Sequence, residues 1–225
     1  MGSERRADFG YIVSSLRSEA TSSDVLDRLL TLTIETLACD RATATLTLQR
    51  PGEQTSLATD ADVLVLADPR RLDLPGPSAD VVAGQAPVLV ADLRCDDRWR
   101  SWAAAAVRSG LRSMLCVPLT CSGARLGSVT AYDANVGHFT VPDVGTARFM
   151  AGVAASAVAS ARDHDDLWRV IDARHTLGYA QGIVMQRDGL DAARAIMVLQ
   201  DRSDRLRLTL QVVAERLVRR RAAVD

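Results

Sequence analysis

Arginine supplies every basic side chain of this sequence, and its distribution is the first pointer to chemistry. The chain has 225 residues, of which 27 are basic and none is lysine. Residues 167–224 contain eleven Arg against six acidic residues, whereas residues 1–166 contain 16 Arg against 21 acidic residues. Guanidinium groups bind phosphates and unpaired bases through planar sets of donors. A small basic segment attached to an acidic domain therefore predicts a polyanion partner, and nucleic acid is the natural one.

The absence of lysine and the positions of the histidines exclude several classes of enzyme. P-loop nucleotidases, protein kinases, pyridoxal-phosphate enzymes and Ser-Lys hydrolases all need a lysine amine. His164 and His175 would lie ~16 Å apart on one helix, too far for one metal ion, and His138 stands elsewhere in the chain. We therefore expect neither an ordinary hydrolase nor a metal site.

The cysteines and the apolar runs indicate the compartment. Cys39, Cys95, Cys116 and Cys121 form no Cys-x-x-Cys pair, so reduced thiols are expected. Cys116 and Cys121 could be a redox-sensing pair on one strand, although small buried thiols more commonly fill space. No apolar run reaches the ~18–20 residues that cross a bilayer, and no secretion signal opens the chain. These features predict a cytoplasmic protein without membrane contact.

The order of helical and strand patterns predicts an α+β domain that ends near residue 160. Apolar residues at helical spacing near the N-terminus predict two amphipathic helices. A helix is expected over 97–109, with Gly110 as its stop, and a helical pattern begins again at Asp143. Strands are expected at 42–49, 63–66, 88–90, 112–119 and 126–132. The last two strands are expected to form an antiparallel hairpin.

The helix that begins near Asp143 is expected to continue into the basic segment. Between residues 157 and 185 a seam of small, aromatic and histidine residues recurs at alternating steps of four and three, which is a heptad repeat. This seam favours a short coiled coil between two protomers, or alternatively it packs on its own domain. Asp191 and Ser203 are expected to be the N-caps of two further short helices. The three helices would bury their apolar stripes in a small bundle.

One face of the last helix is expected to carry guanidinium groups. Steps of 100° per residue from Leu210 place four arginines opposite the apolar stripe: Arg205, Arg216, Arg219 and Arg220. Few acidic residues interleave with them, which favours anion binding over a merely solvated surface. A DNA-reading helix-turn-helix with its turn at 200–205 is the rival interpretation, but the following residues suit base reading poorly.

Residues 167–220 resemble the ANTAR domain, an RNA-binding module of bacterial transcription antitermination regulators. The resemblance rests on residues 174–187, which contain the A-x-G-x-x-M core at Ala180, Gly182 and Met185. It implies a three-helix RNA-binding bundle, held as a homodimer that grips paired RNA hairpins. The RNA-binding residues that we assign are Arg174, Ala180, Gly182, Arg187, Arg205, Arg207 and Arg216. For the small residues Ala180 and Gly182, packing or close approach by a partner helix is the alternative.

Residues 9–162 resemble the GAF domains that precede ANTAR domains in actinobacterial regulators, through residues 92–99, 110–119 and 126–132. The resemblance implies an antiparallel sheet flanked by helices, joined by a long helix to the ANTAR bundle. It also implies a pocket for a small-molecule ligand of unknown identity between the sheet and its covering loops. The candidate pocket walls are Ser78, Trp99, Trp102, Met114 and Cys116, with core filling as the alternative.

The expected organisation is an N-terminal tail at 1–8, a GAF sensor domain at 9–162, and a connector helix with an ANTAR domain at 163–221. The expected function is non-enzymatic, with no catalytic residues: signal-responsive transcription antitermination, in which the GAF domain controls how the ANTAR modules are presented to tandem RNA stem-loops. Two alternatives remain open. One is a thiol redox enzyme of the methionine-sulfoxide-reducing kind that uses Cys95, Cys116 or Cys121, and the other is a protein-binding adaptor.

Overall fold

A computed structural model describes residues 8–47, 54–67 and 75–222, apart from the side chains of 165–171 and 220–222. The chain divides into two compact units, Met1–Arg162 and Asp163–Asp225. The N-terminal unit is of the α+β class and contains an antiparallel five-stranded sheet. The strands are β1 (Arg41–Thr47), β2 (Gln54–Ala58), β3 (Val88–Val90), β4 (Ser113–Cys121) and β5 (Ala124–Asp133), in the spatial order β2-β1-β5-β4-β3.

Helices cover both faces of this sheet. They are α1 (Phe9–Arg17), α2 (Ser22–Leu37), α3 (Ala61–Ala67), α4 (Pro77–Gly84), α5 (Arg100–Arg108) and the first part of α6 (Val141–Asp188). The apolar side chains of α1, α2 and α6, as far as Val158, form the larger core cluster with one face of the sheet. On that face alternate residues are apolar, as at Ala42, Ala44 and Leu46 of β1 and Val129 of β5.

The opposite face of the sheet is rich in hydroxyl groups and is buried as well. Thr43 and Thr45 of β1 and Ser128 and Thr130 of β5 are all at most 5% exposed. Helices α3 and α5 close part of this face with a second core cluster that contains Trp102, among other side chains. The hydroxyl groups therefore lie inside the domain.

The hairpin of β4 and β5 and the helix α5 with Gly110 beyond its end are confirmed. The strand expected at 63–66 is wrong, because these residues belong to α3, where Asp60 accepts hydrogen bonds from the amides of Asp62 and Val63. The strand β2 and the helix α4 were not expected. The last two residues of the strand expected at 42–49 lie outside the described residues.

One stretch of α6 has the length and composition of a membrane-spanning helix. Within the described part of the chain, only Val141–His164 meets this criterion, with a mean hydropathy of 1.2. The expectation that no run approaches this length is therefore wrong. Met150, Ala154 and Val158 of the same stretch are buried in the larger core cluster. Packing on the sheet accounts for these buried side chains, whereas Val141 and Phe149 of the same stretch are exposed.

The C-terminal unit is a bundle of three helices, formed by the end of α6 together with α7 (Ala192–Leu206) and α8 (Leu210–Ala222). Its fully buried side chains are Ala180, Val184, Ala195, Leu199, Val213 and Ala214. Asp191 is the N-cap of α7, as expected, and accepts a hydrogen bond from the amide of Arg194 at 2.8 Å.

The expectation that Ser203 is the second N-cap is wrong. Ser203 lies inside α7, which ends at Arg207 in the left-handed conformation (φ 51°). Thr209 takes the capping position instead and accepts a hydrogen bond from the amide of Val212 at 3.4 Å. The N-cap of the last helix therefore lies six residues later than the sequence suggested, at Thr209 rather than Ser203.

Candidate functional sites: an arginine surface and a buried cavity

The arginines assigned to RNA binding all lie on the surface of the bundle. Arg174 and Arg187 belong to α6, Arg205 lies near the end of α7, Arg207 caps that helix, and Arg216 belongs to α8; all are exposed. The helical wheel drawn from Leu210 does not apply to Arg205, because this residue precedes the break between α7 and α8. The arginine face expected on one helix is therefore distributed over three.

Acidic neighbours neutralise two of these five guanidinium groups. Arg205 lies 2.9 Å from Asp201, and Arg187 lies 2.6 Å from Asp188. The hydrogen bond from Arg187 lowers the pKa of the Asp188 carboxyl. Ion pairs at the protein surface contribute little stability, so a phosphate can compete for both guanidinium groups.

The other three guanidinium groups have no such partner. Arg174, Arg207 and Arg216 make no ion pair with any residue that the structure describes. Arg219 stands one turn after Arg216 on the exposed side of α8, roughly 60° around the helix axis. Unpaired and exposed guanidinium groups are the ones that bind an incoming phosphate without first losing a protein contact.

The two small residues assigned to RNA binding have different environments. Ala180 is fully buried and packs in the bundle core, so its side chain does not contact RNA as proposed. Gly182 is exposed, and a Cβ built on it would meet nothing within 4 Å. Gly178, one turn earlier, is equally open. The backbone of α6 is therefore accessible at Gly178 and Gly182.

The GAF-like unit contains a cavity of about 340 Å³ over the hydroxyl-rich face of the sheet. The described residues that line it are Thr45, Thr47, Gln54, Leu66, Ala67, Pro75, Gly76, Ser78, Ala79, Val82, Ala83, Arg125, Gly127 and Ser128. The cavity thus lies between β1, β2 and β5 and the helices α3 and α4. Its volume is at the lower end of the ~300–1,000 Å³ that is usual for small-molecule pockets.

Of the five expected pocket walls, only Ser78 lines this cavity. Trp99, Trp102 and Met114 belong to the second core cluster, where core filling is the correct interpretation. The indole NH of Trp102 donates to the Leu66 carbonyl at 3.0 Å, so its polar atom is satisfied inside the protein.

Cys116 is also outside the cavity lining, and its thiol is buried. It is fully buried, accepts a hydrogen bond from Thr130 at 3.1 Å, and burial raises the pKa of the thiol to about 11. Cys116 lies on the hydroxyl-rich side of the sheet, whereas Cys121 packs against the apolar cluster. The four cysteines are free, and Cys116 and Cys121 do not form the sensing pair considered above. Little thiolate exists at Cys116 near neutral pH, which disfavours redox chemistry there.

Comparison with known families agrees with this division into two units. The sequence profile of the GAF domain matches residues 19–159, and that of the ANTAR domain matches residues 165–218. The chain belongs to the GAF family and carries an ANTAR domain after the GAF domain. An ANTAR domain indicates an RNA-binding antitermination regulator, here with a GAF sensor, and this architecture is typical of regulators rather than of enzymes. Both are soluble domain types.

Solved structures show the GAF fold at low sequence identity. Free methionine-R-sulfoxide reductase from Neisseria meningitidis is 17% identical, with a TM-score of 0.55 over 69% of this chain and 89% of the reductase. The GAF domain of a phosphoenolpyruvate-protein phosphotransferase from Coxiella burnetii is 15% identical, with a TM-score of 0.55 over 70% of this chain and 94% of that domain. A comparison with curated protein sequences finds no match. These similarities establish the fold of the GAF domain and nothing about its ligand.

Proposed function

We propose that this GAF-ANTAR protein is a signal-responsive antiterminator whose ANTAR bundle binds paired RNA stem-loops through arginine. The observation that carries the proposal is the exposed set Arg174, Arg207 and Arg216, which has no acidic partner among the described residues. Guanidinium groups without carboxylate partners attract a phosphate backbone strongly. Since Tyr179 is the one exposed aromatic residue of the described bundle, the mode of binding is recognition of backbone and shape rather than base stacking.

The proposed active form is a homodimer that joins along the heptad seam of α6. Within the bundle, the seam positions His175, Gly178 and Gly182 are exposed, whereas Met185, the last seam position, packs against the bundle core. Heptad spacing lets a second copy of the same helix pack along such a seam, and small residues permit close approach. A dimer presents two bundles together, which matches two hairpins in one transcript.

The GAF domain would control this presentation by a shift of population. A signal molecule in the GAF cavity favours one conformation of the dimer, so that both bundles are presented or withdrawn together. Such a role needs no catalytic group, and burial raises the pKa of the Cys116 thiol, which disfavours its use as a nucleophile.

The surface is tested by removing the two unpaired charges that flank the junction of α7 and α8. Arg207→Gln combined with Arg216→Gln should weaken binding of a tandem stem-loop RNA about 10- to 100-fold and reduce the salt slope by about 2. The control is Arg17→Gln with Arg108→Gln, which removes the same charge from exposed positions in the GAF domain. Filter binding at several salt concentrations measures both quantities. An equal loss in the control pair would refute the assigned surface.

The proposed dimer is tested by comparing the affinity for RNAs that contain one and two stem-loops. A transcript with two stem-loops should bind about 100-fold more tightly than one with a single stem-loop, because the second contact becomes intramolecular. Sequencing of RNA that copurifies with the protein should show enrichment of twin stem-loops. Equal affinity for one and two stem-loops would contradict paired binding, and recovery of no RNA would favour the adaptor alternative.

A further inference from the structure

From the cavity of the GAF domain we infer that its ligand is a compact molecule with one anionic group, a carboxylate or a phosphate, held between Arg125 and the N-terminus of α4. This inference rests on the proposed sensory role of the GAF domain and adds the chemical class of the signal. Three independent features of the cavity carry it: the charge of its lining, the uncapped helix end, and a buried hydroxyl group without an oxygen or nitrogen partner.

The first feature is the charge of the lining. Among the described residues that line the cavity, Arg125 is the one charged side chain, and no carboxylate accompanies it. Arg125 is exposed at the edge of the cavity and makes neither an ion pair nor a hydrogen bond with the described part of the chain. A cationic group beside a partly enclosed cavity raises the local concentration of anions.

The second feature is the N-terminus of α4, which also borders the cavity. The N-cap is Gly76, which offers no side-chain acceptor, and Pro77 follows at the first helical position. The next two residues, Ser78 and Ala79, line the cavity, and their amides donate no hydrogen bond within the described structure. Asp80, the acidic residue of this turn, accepts a hydrogen bond from Trp99 Nε1 at 2.8 Å and is not part of the lining. Free amides and the helix dipole together favour an anion at this position.

The third feature is Ser128, whose buried hydroxyl group has no oxygen or nitrogen partner. Ser128 is 1% exposed and lines the cavity, and its Oγ is the one buried side-chain N or O atom left without a regular hydrogen bond in the described structure, with the Cys116 thiol, a weak acceptor, as its polar neighbour. The nearby hydroxyl groups of Thr45 and Ser56 are satisfied, since they lie 3.2 Å apart and Ser56 donates to the Ala67 carbonyl. Buried polar groups are nearly always hydrogen-bonded, so the Ser128 hydroxyl identifies where a ligand atom belongs.

The three features occupy different walls of one small space. Arg125 and Ser128 come from β5, whereas the free amides come from α4 across the cavity. A ligand of moderate size can therefore place its anion between the guanidinium group and the helix end, and its hydroxyl or carbonyl group against Ser128. The cavity volume of about 340 Å³ restricts this ligand to a small metabolite.

The test uses the full-length protein and three probes of similar size: glycerate, glycerol 3-phosphate and glycerol. Isothermal titration should detect binding of at least one of the two anions and at least tenfold weaker binding of glycerol. The difference between glycerate and glycerol 3-phosphate separates a carboxylate ligand from a phosphate ligand. Binding of neither anion at millimolar concentration, or equal binding of glycerol, would overturn the inference.

Two substitutions locate the site. Arg125→Gln should weaken binding of the anion at least tenfold, while Arg108→Gln, an equal change of charge at an exposed position of α5, should leave it unchanged. Ser128→Ala should weaken binding about fivefold while the melting temperature of the free protein stays level or rises, because it removes an unsatisfied buried group. Unaltered binding by the Arg125 variant would exclude this site.

The same samples separate this inference from the proposed function. If anions do not bind while the tandem RNA still binds with its usual salt dependence, the ligand class is wrong and the RNA-binding function stands. If anions bind at Arg125 and no variant of the bundle affects RNA affinity, the RNA surface is wrong and the ligand class stands.

Discussion

The GAF domain and the ANTAR bundle differ most in how they use their interior. The GAF domain has an apolar cluster on one face of its sheet and a second cluster beside a cavity on the other. The described bundle has six fully buried side chains, of which three are alanine. Its other residues are largely exposed, and many of them are arginine. The GAF domain therefore has a core large enough to hold a cavity as well, whereas most residues of the bundle lie on its surface, where they are available to a partner.

Because their cores differ in size, the two domains should also differ in their free energy of unfolding. A unit with so small a core is close to the lower size limit for independent stability. Its stability should depend on its caps, on Leu199, the one buried leucine of the described bundle, and on the RNA to which it binds, since a ligand stabilises the folded state by mass action. The GAF domain should remain folded without the bundle.

The largest effect is expected from Gly127→Ala in the GAF domain. A Cβ on Gly127 would lie 1.8 Å from the backbone oxygen of Thr45, so β1 and β5 would have to separate beside the cavity. We expect a loss of more than about 3 kcal/mol in the free energy of unfolding. Urea denaturation monitored by tryptophan fluorescence measures it. Gly145→Ala in α6, where the added methyl meets open space, is the control and should be neutral or slightly stabilising.

Removing a buried leucine from each domain tests whether the two domains differ in stability. Leu29→Ala in the GAF domain and Leu199→Ala in the bundle each remove a fully buried side chain and should each cost about 2–5 kcal/mol. The GAF variant should stay folded at 25 °C, whereas the bundle variant should lose helix and RNA binding. Leu206→Ala, which removes an exposed leucine from the same helix as Leu199, should do neither. Retention of RNA binding by the Leu199 variant would mean that the bundle is more stable than its core indicates.

The smallest effect is expected from alkaline pH and should occur in the GAF domain alone, because all four cysteines lie there. Burial raises the pKa of Cys116 from 9.0 to about 11. The folded state then holds its proton more tightly than the unfolded state, so this contribution is complete below pH 9 and is lost between pH 9 and about pH 11. The loss is about 1.4 kcal/mol per pH unit.

Chemical denaturation at pH 8 and pH 10 measures this slope. Cys116→Ala should flatten it, whereas Cys95→Ala, which removes an exposed thiol, should leave it unchanged. Burial also raises the pKa of Cys39, to about 12, so part of the slope should persist in the Cys116 variant. An identical slope in all three proteins would show that the Cys116 thiol is not buried in solution.

The sequence predicts those elements whose pattern is local. Alternation over residues 42–47 and the capping aspartate at Asp191 predict β1 and the start of α7 without knowledge of the rest of the chain. The strand β2 has no such alternation, because it is a polar edge strand held by backbone pairing to β1. The short apolar run at 63–66 suits either a strand or a helix, and the capping carboxylate of Asp60 is the signal that could have distinguished them.

The functional residues also differ in whether a local sequence pattern predicts their position. The charge distribution and the ANTAR motif predict the exposed arginines of the bundle. They do not predict the break after α7, where Thr209 caps the next helix and Arg205 belongs to α7. Pro77 at the first position of α4 could have predicted that helix, and with it the helix end beside the cavity. Arg125 could not be predicted, because the pairing of β5 with β1 and β4, rather than any local pattern, brings it to the cavity.

Neighbouring residues of strand β5 contribute to the structures on opposite faces of the sheet. Ser128 points into the cavity, and the next residue, Val129, packs into the cluster that contains the first part of α6. Neighbouring residues of a strand share their backbone and point in opposite directions. An occupant that displaces the backbone at Ser128 would therefore also displace Val129 within the cluster to which α6 contributes, on the opposite face of the sheet.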